Sequence, residues 1–152
     1  MALPWCTSVW LNTPAPIDLE AQRGHVVLAC AFQMLCPGCV AYAIPQMKAV
    51  PDLFSPQGVI LVYLHTAFEH QEGMTVTALR VLVHEYGIRF PVGVDTPADD
   101  GEPIPQTMAP YRMQSTPTVL LIDRSGQLRR QVFGHVPDLR LEAEIMRLFA
   151  EH

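Results

Sequence analysis

Two stretches of the chain, residues 25–32 (HVVLACAF) and 59–64 (VILVYL), are apolar almost without interruption. Short, β-prone and nearly continuous, they have the pattern of strands buried on both faces of a parallel sheet. Between them, 37 to about 50 is long enough for the crossover helix that parallel neighbours require, which makes a βαβ unit. Pro45 falls inside that helix and lacks an amide donor, so a kink or break is expected there. Further on, Thr75 can cap a helix in which Ala78, Leu79, Leu82, Val83 and Tyr86 recur at helical spacing, and Gly87 is placed to end it. Residues 90–94 read as a short strand. The following DTPADDGEPIPQ segment, 95–106, is too rich in proline and acid for regular structure. Residues 119–122 form another buried strand, Asp123-Arg124-Ser125-Gly126 supplies turn chemistry, and 127–133 return as a hairpin partner. After Pro137-Asp138, the positions Leu141, Ile145, Leu148 and Phe149 repeat at i, i+4, i+7 and i+8, the pattern of a terminal amphipathic helix. The expected architecture is an α/β sandwich preceded by an entry segment, 1–24.

Length and composition narrow this picture. The 152 residues fit one domain, 1–152, and 49% hydrophobic content with only 16% charged residues excludes a disordered chain. Ten Lys and Arg against fifteen Asp and Glu give a net charge of -5, the wrong sign for a general nucleic-acid binder. The longest apolar runs fall short of the roughly 18 residues of a membrane helix, so no membrane span is expected. No export signal is read in MALPWCTSVWLN, and four cysteines are too few for a disulfide-stapled secreted domain. A cytoplasmic protein is expected, in which a close cysteine pair points to catalysis or metal.

That pair is Cys36-Pro37-Gly38-Cys39, placed where a buried strand has ended and a helix begins. With Cys36 as N-cap, Pro37 takes the first helical position, where its missing amide hydrogen does no harm. The amides of Gly38 and Cys39 then point at the Cys36 sulfur, and the positive end of the helix favours thiolate over thiol. Cys36 is therefore the candidate nucleophile. Cys39, three residues on and on the same side of the first turn, is the candidate resolving thiol for a mixed disulfide. The pair also has the spacing of half a zinc site, but no second CxxC exists, and Cys6, His65, His70, His84 and His135 are scattered. An inert pair is the remaining alternative.

The strand running into CxxC (26–39, VVLACAFQMLCPGC), the YRMQSTPTVLLID segment (111–123) and the DRSGQLRR hairpin (123–130) resemble the thioredoxin superfamily, and most closely the TlpA-type thiol-disulfide reductases grouped with the peroxiredoxin-like redoxins. The resemblance covers about residues 15 to 150. It implies a thioredoxin-like fold, a central mixed β-sheet flanked by helices, and a redox-active CxxC that exchanges disulfides with protein or small-molecule thiol clients. It further implies an electron donor, not identified by the sequence, and no metal or other cofactor. It makes the Thr116-Pro117 bond cis and places Pro117 across a groove from the CxxC, with the Thr116 backbone free to pair with an extended client.

Several positions depart from the family pattern. Where thioredoxins bury an Asp, six residues before the first active-site Cys, this chain has Cys30, read as a small buried hydrophobe. Leu35 stands where a Trp usually precedes that Cys, and Tyr42 where TlpA-type relatives often carry an acid; packing is its expected role. Pro45 falls one residue late, which points to an extra residue in the active-site helix. The PxxxTxxC pattern of peroxiredoxins has Ala29 and Gln33 at its Pro and Thr positions, so a thiol peroxidase is the runner-up; the Gln33 amide could still meet a peroxide oxygen. A copper or zinc module is the third reading, with His135 as the distant ligand. Glu69-His70 follows the second strand at the sheet edge where α/β folds bind ligands and could bind metal or accept a proton, but a polar loop with a solvated His is the expected reading. Asp95, Asp99, Asp100 and Glu102 form an acidic loop, and Cys6 has no expected role.

Overall fold

The computed structural model describes residues 1–54 and 58–151. In chain order it contains β1 (Thr7–Leu11), β2 (Val27–Phe32), a π-helical turn (Cys39–Ala43) running into α1 (Ile44–Phe54), β3 (Ile60–His65), α2 (Val76–Glu85), β4 (Val92–Asp95), α3 (Met108–Tyr111), β5 (Thr118–Ile122), β6 (Leu128–Phe133) and α4 (Asp138–Ala150). The strands form one mixed sheet in the order β1-β4-β3-β2-β5-β6. Its central strands β4, β3 and β2 are parallel, while β1, β5 and β6 run antiparallel to their neighbours.

The continuous apolar run of β2 has the two-sided burial expected of it. Leu28, Cys30 and Phe32 pack on one face with α1, α2 and α4, and Ala29 and Ala31 pack on the other. That second face is covered by α3 and by Trp5, Trp10 and Ile17 of the entry segment. The segment 1–24 is thus part of the core and supplies an edge strand. Its pattern hides this, because the residues of β1 are mostly half-exposed.

The helix after the cysteines also differs from expectation. It winds as a π turn over Cys39–Ala43, changes to α at Ile44 just before Pro45, and continues through Pro51 to Phe54 instead of stopping near residue 50. The π turn absorbs one residue more than α winding would, as the late position of Pro45 implies. Packing carries the helix past Pro51, since Phe54 is buried and stacks on Phe149 with ring centroids 6.0 Å apart. Helix α2 follows its sequence signals: the Thr75 hydroxyl accepts from the Ala78 amide at 3.1 Å, and Gly87 ends it with φ of 63°.

The short helix α3 after the proline-rich loop is not foreseen by the pattern. It is held by Asp95, whose carboxylate accepts from the Thr107 and Met108 amides and from the Thr66 hydroxyl. Asp95 is therefore a buried anchor for the acidic loop and does not face partners with Asp99, Asp100 and Glu102, which stay exposed.

Gly93 pairs with Trp10 across β4 and β1, and a Cβ there would come within 2.9 Å of the Trp10 ring. Gly93→Ala is expected to push the indole off its seat, where its N–H donates to the Thr7 hydroxyl, and to destabilise the fold by about 1–3 kcal/mol in denaturant titration. Unchanged stability would mean that Trp10 can swing aside freely.

Candidate active site

β2 ends at Phe32 in the middle of the sheet, and the chain needs only a short turn to reach the helix that begins at Pro37. Cys36 sits at that junction. Its amide donates to the Gln33 carbonyl at 3.2 Å, and its own carbonyl accepts from the Val40 amide at 3.1 Å, so Cys36 is the N-cap and Pro37 the first helical residue. The Cys39 amide donates to Cys36 Sγ at 3.3 Å, the contact expected from the CxxC spacing. The Cys36 thiol in turn donates to the Thr116 carbonyl at 3.5 Å. All four cysteines are free thiols.

The Thr116-Pro117 bond is cis. Pro117 stands across from the CxxC, close enough that a Cβ on Gly38 would lie 3.7 Å from Pro117 Cδ. The six residues singled out around the CxxC and Thr116-Pro117 therefore converge at one end of the sheet. A pocket of about 250 Å³ opens beside them, lined by Leu35, Cys36, Glu69, His70, Ser115 and Thr116 among others. Glu69-His70 thus shares this pocket with Cys36, and the His70 backbone is left-handed with φ of 49°.

Cys36 is half-buried, whereas Cys39 is wholly buried behind it. Burial, together with its contact to Cys36, pushes the Cys39 thiol up to about 12, against hydrogen bonds from the Gln33 backbone and Thr116 side chain that pull the other way. The deeper thiol is therefore the one whose ionisation must be assisted. Cys30 lies beneath, fully buried, and desolvation raises it well above its usual range, with the charges of Cys39 and Cys36 adding to the effect. Beside Cys30 in the parallel register stands Tyr63, also fully buried, whose hydroxyl has no hydrogen-bond partner among the described residues.

Gln33 has a part that reading it against a peroxide oxygen does not reveal. Its Nε2 donates to the Thr116 hydroxyl at 3.0 Å and its Oε1 accepts from the Phe68 and Glu69 amides, both at 3.2 Å. One buried amide thus ties the end of β2 to both walls of the pocket. Tyr42 is exposed and packs at a tilt against His135, with ring centroids 5.4 Å apart. Cys6 donates to Gln106 Oε1 at 3.2 Å and is not among the pocket-lining residues. Among the described residues, no three His, Cys, Asp or Glu side chains converge as a metal cluster.

His65, at the end of β3 and 2% exposed, accepts from the Met34 amide through Nε2 and lies edge-on to Phe32. Burial lowers it from 6.5 to about 4. The unfolded chain therefore takes up this proton first as pH falls, so the His65 contribution is intact above 6.5 and lost on the way down to about 4. That window amounts to about 3 kcal/mol. Of the two buried carboxylates, Asp123 stays below the window, since hydrogen bonds from Ser125, Gln127 and Arg129 outweigh partial desolvation and hold it down to about 2, whereas burial raises Asp95, whose effect on acidification is opposite in sign to the His65 loss and is common to the parent and the variant. His65→Gln, which keeps an acceptor for Met34, is expected to flatten the stability profile between these two pH values. An unchanged acid limb would assign the loss elsewhere.

No family model matches the chain. The fold superposes on the crystal structure of a thioredoxin-like superfamily protein with a TM-score of 0.95 and 46% identity, covering 99% of this chain and 97% of that one. It is similarly close to a thiol-disulfide isomerase from Corynebacterium glutamicum, with a TM-score of 0.93 and 40% identity over 99% of this chain and 96% of that one. Among curated proteins, DipZ of Mycobacterium bovis is 32% identical over 130 residues; the match takes in 82% of this chain and only 17% of DipZ. A half-buried sulfur capping the helix, a buried one behind it and a cis proline opposite are thus set in a fold shared end to end with two structures at 40% identity or more, and the chain belongs to the thioredoxin-like superfamily.

Proposed function

We propose that the chain is a thiol-disulfide oxidoreductase in which Cys36 attacks and Cys39 resolves. The observation that carries this reading is the asymmetry of the pair: one sulfur reachable at a helix N-terminus and bonded to the Cys39 amide at 3.3 Å, the other shut away behind it. In the reducing direction the Cys36 thiolate attacks one sulfur of a client disulfide, and the other client sulfur leaves as a thiolate. Cys39 then gives up its proton and attacks Cys36 Sγ. The second client sulfur departs, and a Cys36-Cys39 disulfide remains. Two electrons have passed to the client, and a separate dithiol donor must return them.

Within this proposal an extended client segment lies along Thr116, whose carbonyl accepts from the Cys36 thiol at 3.5 Å. Clients of this kind include protein disulfides and small disulfides, and the pocket beside Leu35 and His70 receives the residue next to the client sulfur. The low cysteine content supports work in the reducing cytosol.

The test is a redox titration across graded dithiol and disulfide buffers, with thiols trapped by alkylation and mapped by peptide mass. A two-electron Cys36-Cys39 couple is expected, and its midpoint sets the direction of exchange. If no Cys36-Cys39 disulfide forms at any poise, the proposal fails and metal loading of the pair becomes the leading reading.

A further inference from the structure

Gln33 is the first residue past β2, and it is only 5% exposed despite its polar side chain. The backbone ladders of β2 stop just before it. The last register pair with β5 is Ala31–Thr118, the last with β3 is Phe32–His65, and the Thr66 amide adds one bond to the Phe32 carbonyl at 3.0 Å. Beyond that point the chain on either side is irregular, 115–117 ahead of β5 and 67–70 after β3. These two pieces form walls of the pocket beside Cys36, and the Gln33 side chain bonds both. Nε2 donates to the Thr116 hydroxyl at 3.0 Å, and Oε1 accepts from the Phe68 and Glu69 amides at 3.2 Å. A side chain thus makes the rung that the backbone no longer makes.

We infer that Gln33 is a positioning residue for polypeptide clients: it fixes the spacing between Thr116 and the 68–69 wall, so that an extended segment meets a groove already at its working width. The inference rests on the exchange reading above and narrows it, because it makes Gln33 a determinant of preference for polypeptide disulfides over small ones. Irregular segments that must be ordered on binding cost affinity, and a groove held in advance avoids that cost. Without the Gln33 amide, the Phe68 and Glu69 N–H groups and the Thr116 hydroxyl lose the partner that holds them together, and the two walls are free to part.

The contacts of this side chain assign it to binding and not to the sulfur–sulfur step. Its bonds go to Thr116, Phe68 and Glu69, whereas the Cys36 sulfur is held by the Cys39 amide and the Thr116 carbonyl. The Gln33 backbone has a separate task, its carbonyl accepting from the Cys36 amide at 3.2 Å, and a side-chain substitution leaves that bond in place. Only a client long enough to touch Thr116 and the opposite wall together uses the spacing between them. A small disulfide meets the sulfur alone.

The experiment compares two disulfides with one leaving group, 5-thio-2-nitrobenzoate joined either to the single cysteine of an extended peptide or to 2-mercaptoethanol. The reduced full chain is mixed in varied excess over each. Cys36 attacks the peptide or hydroxyethyl sulfur, and the coloured thionitrobenzoate departs as a thiolate, which gives a half-saturating concentration and a limiting rate for a single turnover. In Gln33→Met, which keeps the length of the side chain and removes its hydrogen bonds, half-saturation by the peptide is expected to need about tenfold more protein at a limiting rate within about twofold of the parent's. The peptide-to-hydroxyethyl ratio of second-order rate constants therefore falls about tenfold. An unmoved ratio overturns the proposal, and so does an equal loss on both disulfides, the mark of a merely structural role, or a loss confined to the limiting rate. If Gln33→Met does not fold, Thr116→Val, which removes the partner of Nε2, is expected to lower the same ratio about threefold, and an unmoved ratio again overturns the proposal. Absence of release from both disulfides in the parent chain overturns the exchange reading and this proposal together; a parent chain that releases both but treats them alike overturns this one alone.

Discussion

Serine in place of Cys36 is expected to bring disulfide reduction down to the buffer background, a loss on the order of 10³-fold or more. The hydroxyl can occupy the same N-cap and accept the same Cys39 amide, so the fold and the pocket should survive. What disappears is the atom that can be both an anion near neutral pH and half of a sulfur–sulfur bond. Turnover with a dithiol donor and a protein disulfide client, beside a melting curve of the variant, checks this. Turnover within tenfold of the parent chain would place the chemistry on another thiol. Neither alternative is well placed for it, since Cys30 is fully buried in β2 and Cys6 sits against Gln106 away from the pocket.

Serine in place of Cys39 should instead stop the cycle halfway. Cys36 still reaches the client and still has the end of the helix behind it, so the first exchange proceeds. The covalent product has no escape by internal attack, because the thiol that would release it is gone. The expected outcome is one client sulfur per chain, held at Cys36 and detected as an added mass on the peptide that contains it, with multiple turnover lowered by about 10²-fold or more. Release at the parent rate would show that Cys39 is not the resolving thiol and that a small thiol from solution suffices.

The parts of this molecule that were legible in its sequence are those dictated by neighbours along the chain. The continuous burial of β2, the Thr75 cap of α2, the turn at Gly126 and the placement of Cys36 between strand and helix all follow from local pattern. Thr116 and Pro117 required the family resemblance, because nothing nearby says that they meet a cysteine eighty residues earlier. Entry strand β1 was missed since its mostly half-exposed residues lack a clean alternation, and its place is fixed by long-range pairing with β4, including Trp10 over Gly93. Helix α3 escaped notice for a similar reason, being anchored by Asp95 across twelve residues of irregular chain. Within the site, the bridging contacts of Gln33 join its own segment to two others, through Thr116 and through Phe68 and Glu69.

The π turn at Cys39–Ala43 makes chain length itself a determinant of the chemistry. Each residue of helix turns the chain by about 100°, so one added residue rotates everything before it against everything after it by that angle unless the winding absorbs it. Here the wide turn confines the misfit to five residues: Cys39 and Ala43 remain on the core side upstream, and Met47, Val50 and Phe54 remain on it downstream. Removing a single residue such as Ala41 would give the segment ordinary α winding with Cys39 and the buried residues of α1 still on the core side. Chain length in this segment thus bears on which way the deeper sulfur faces, because only a matching change in winding keeps Cys39 and the buried face of α1 on the same side.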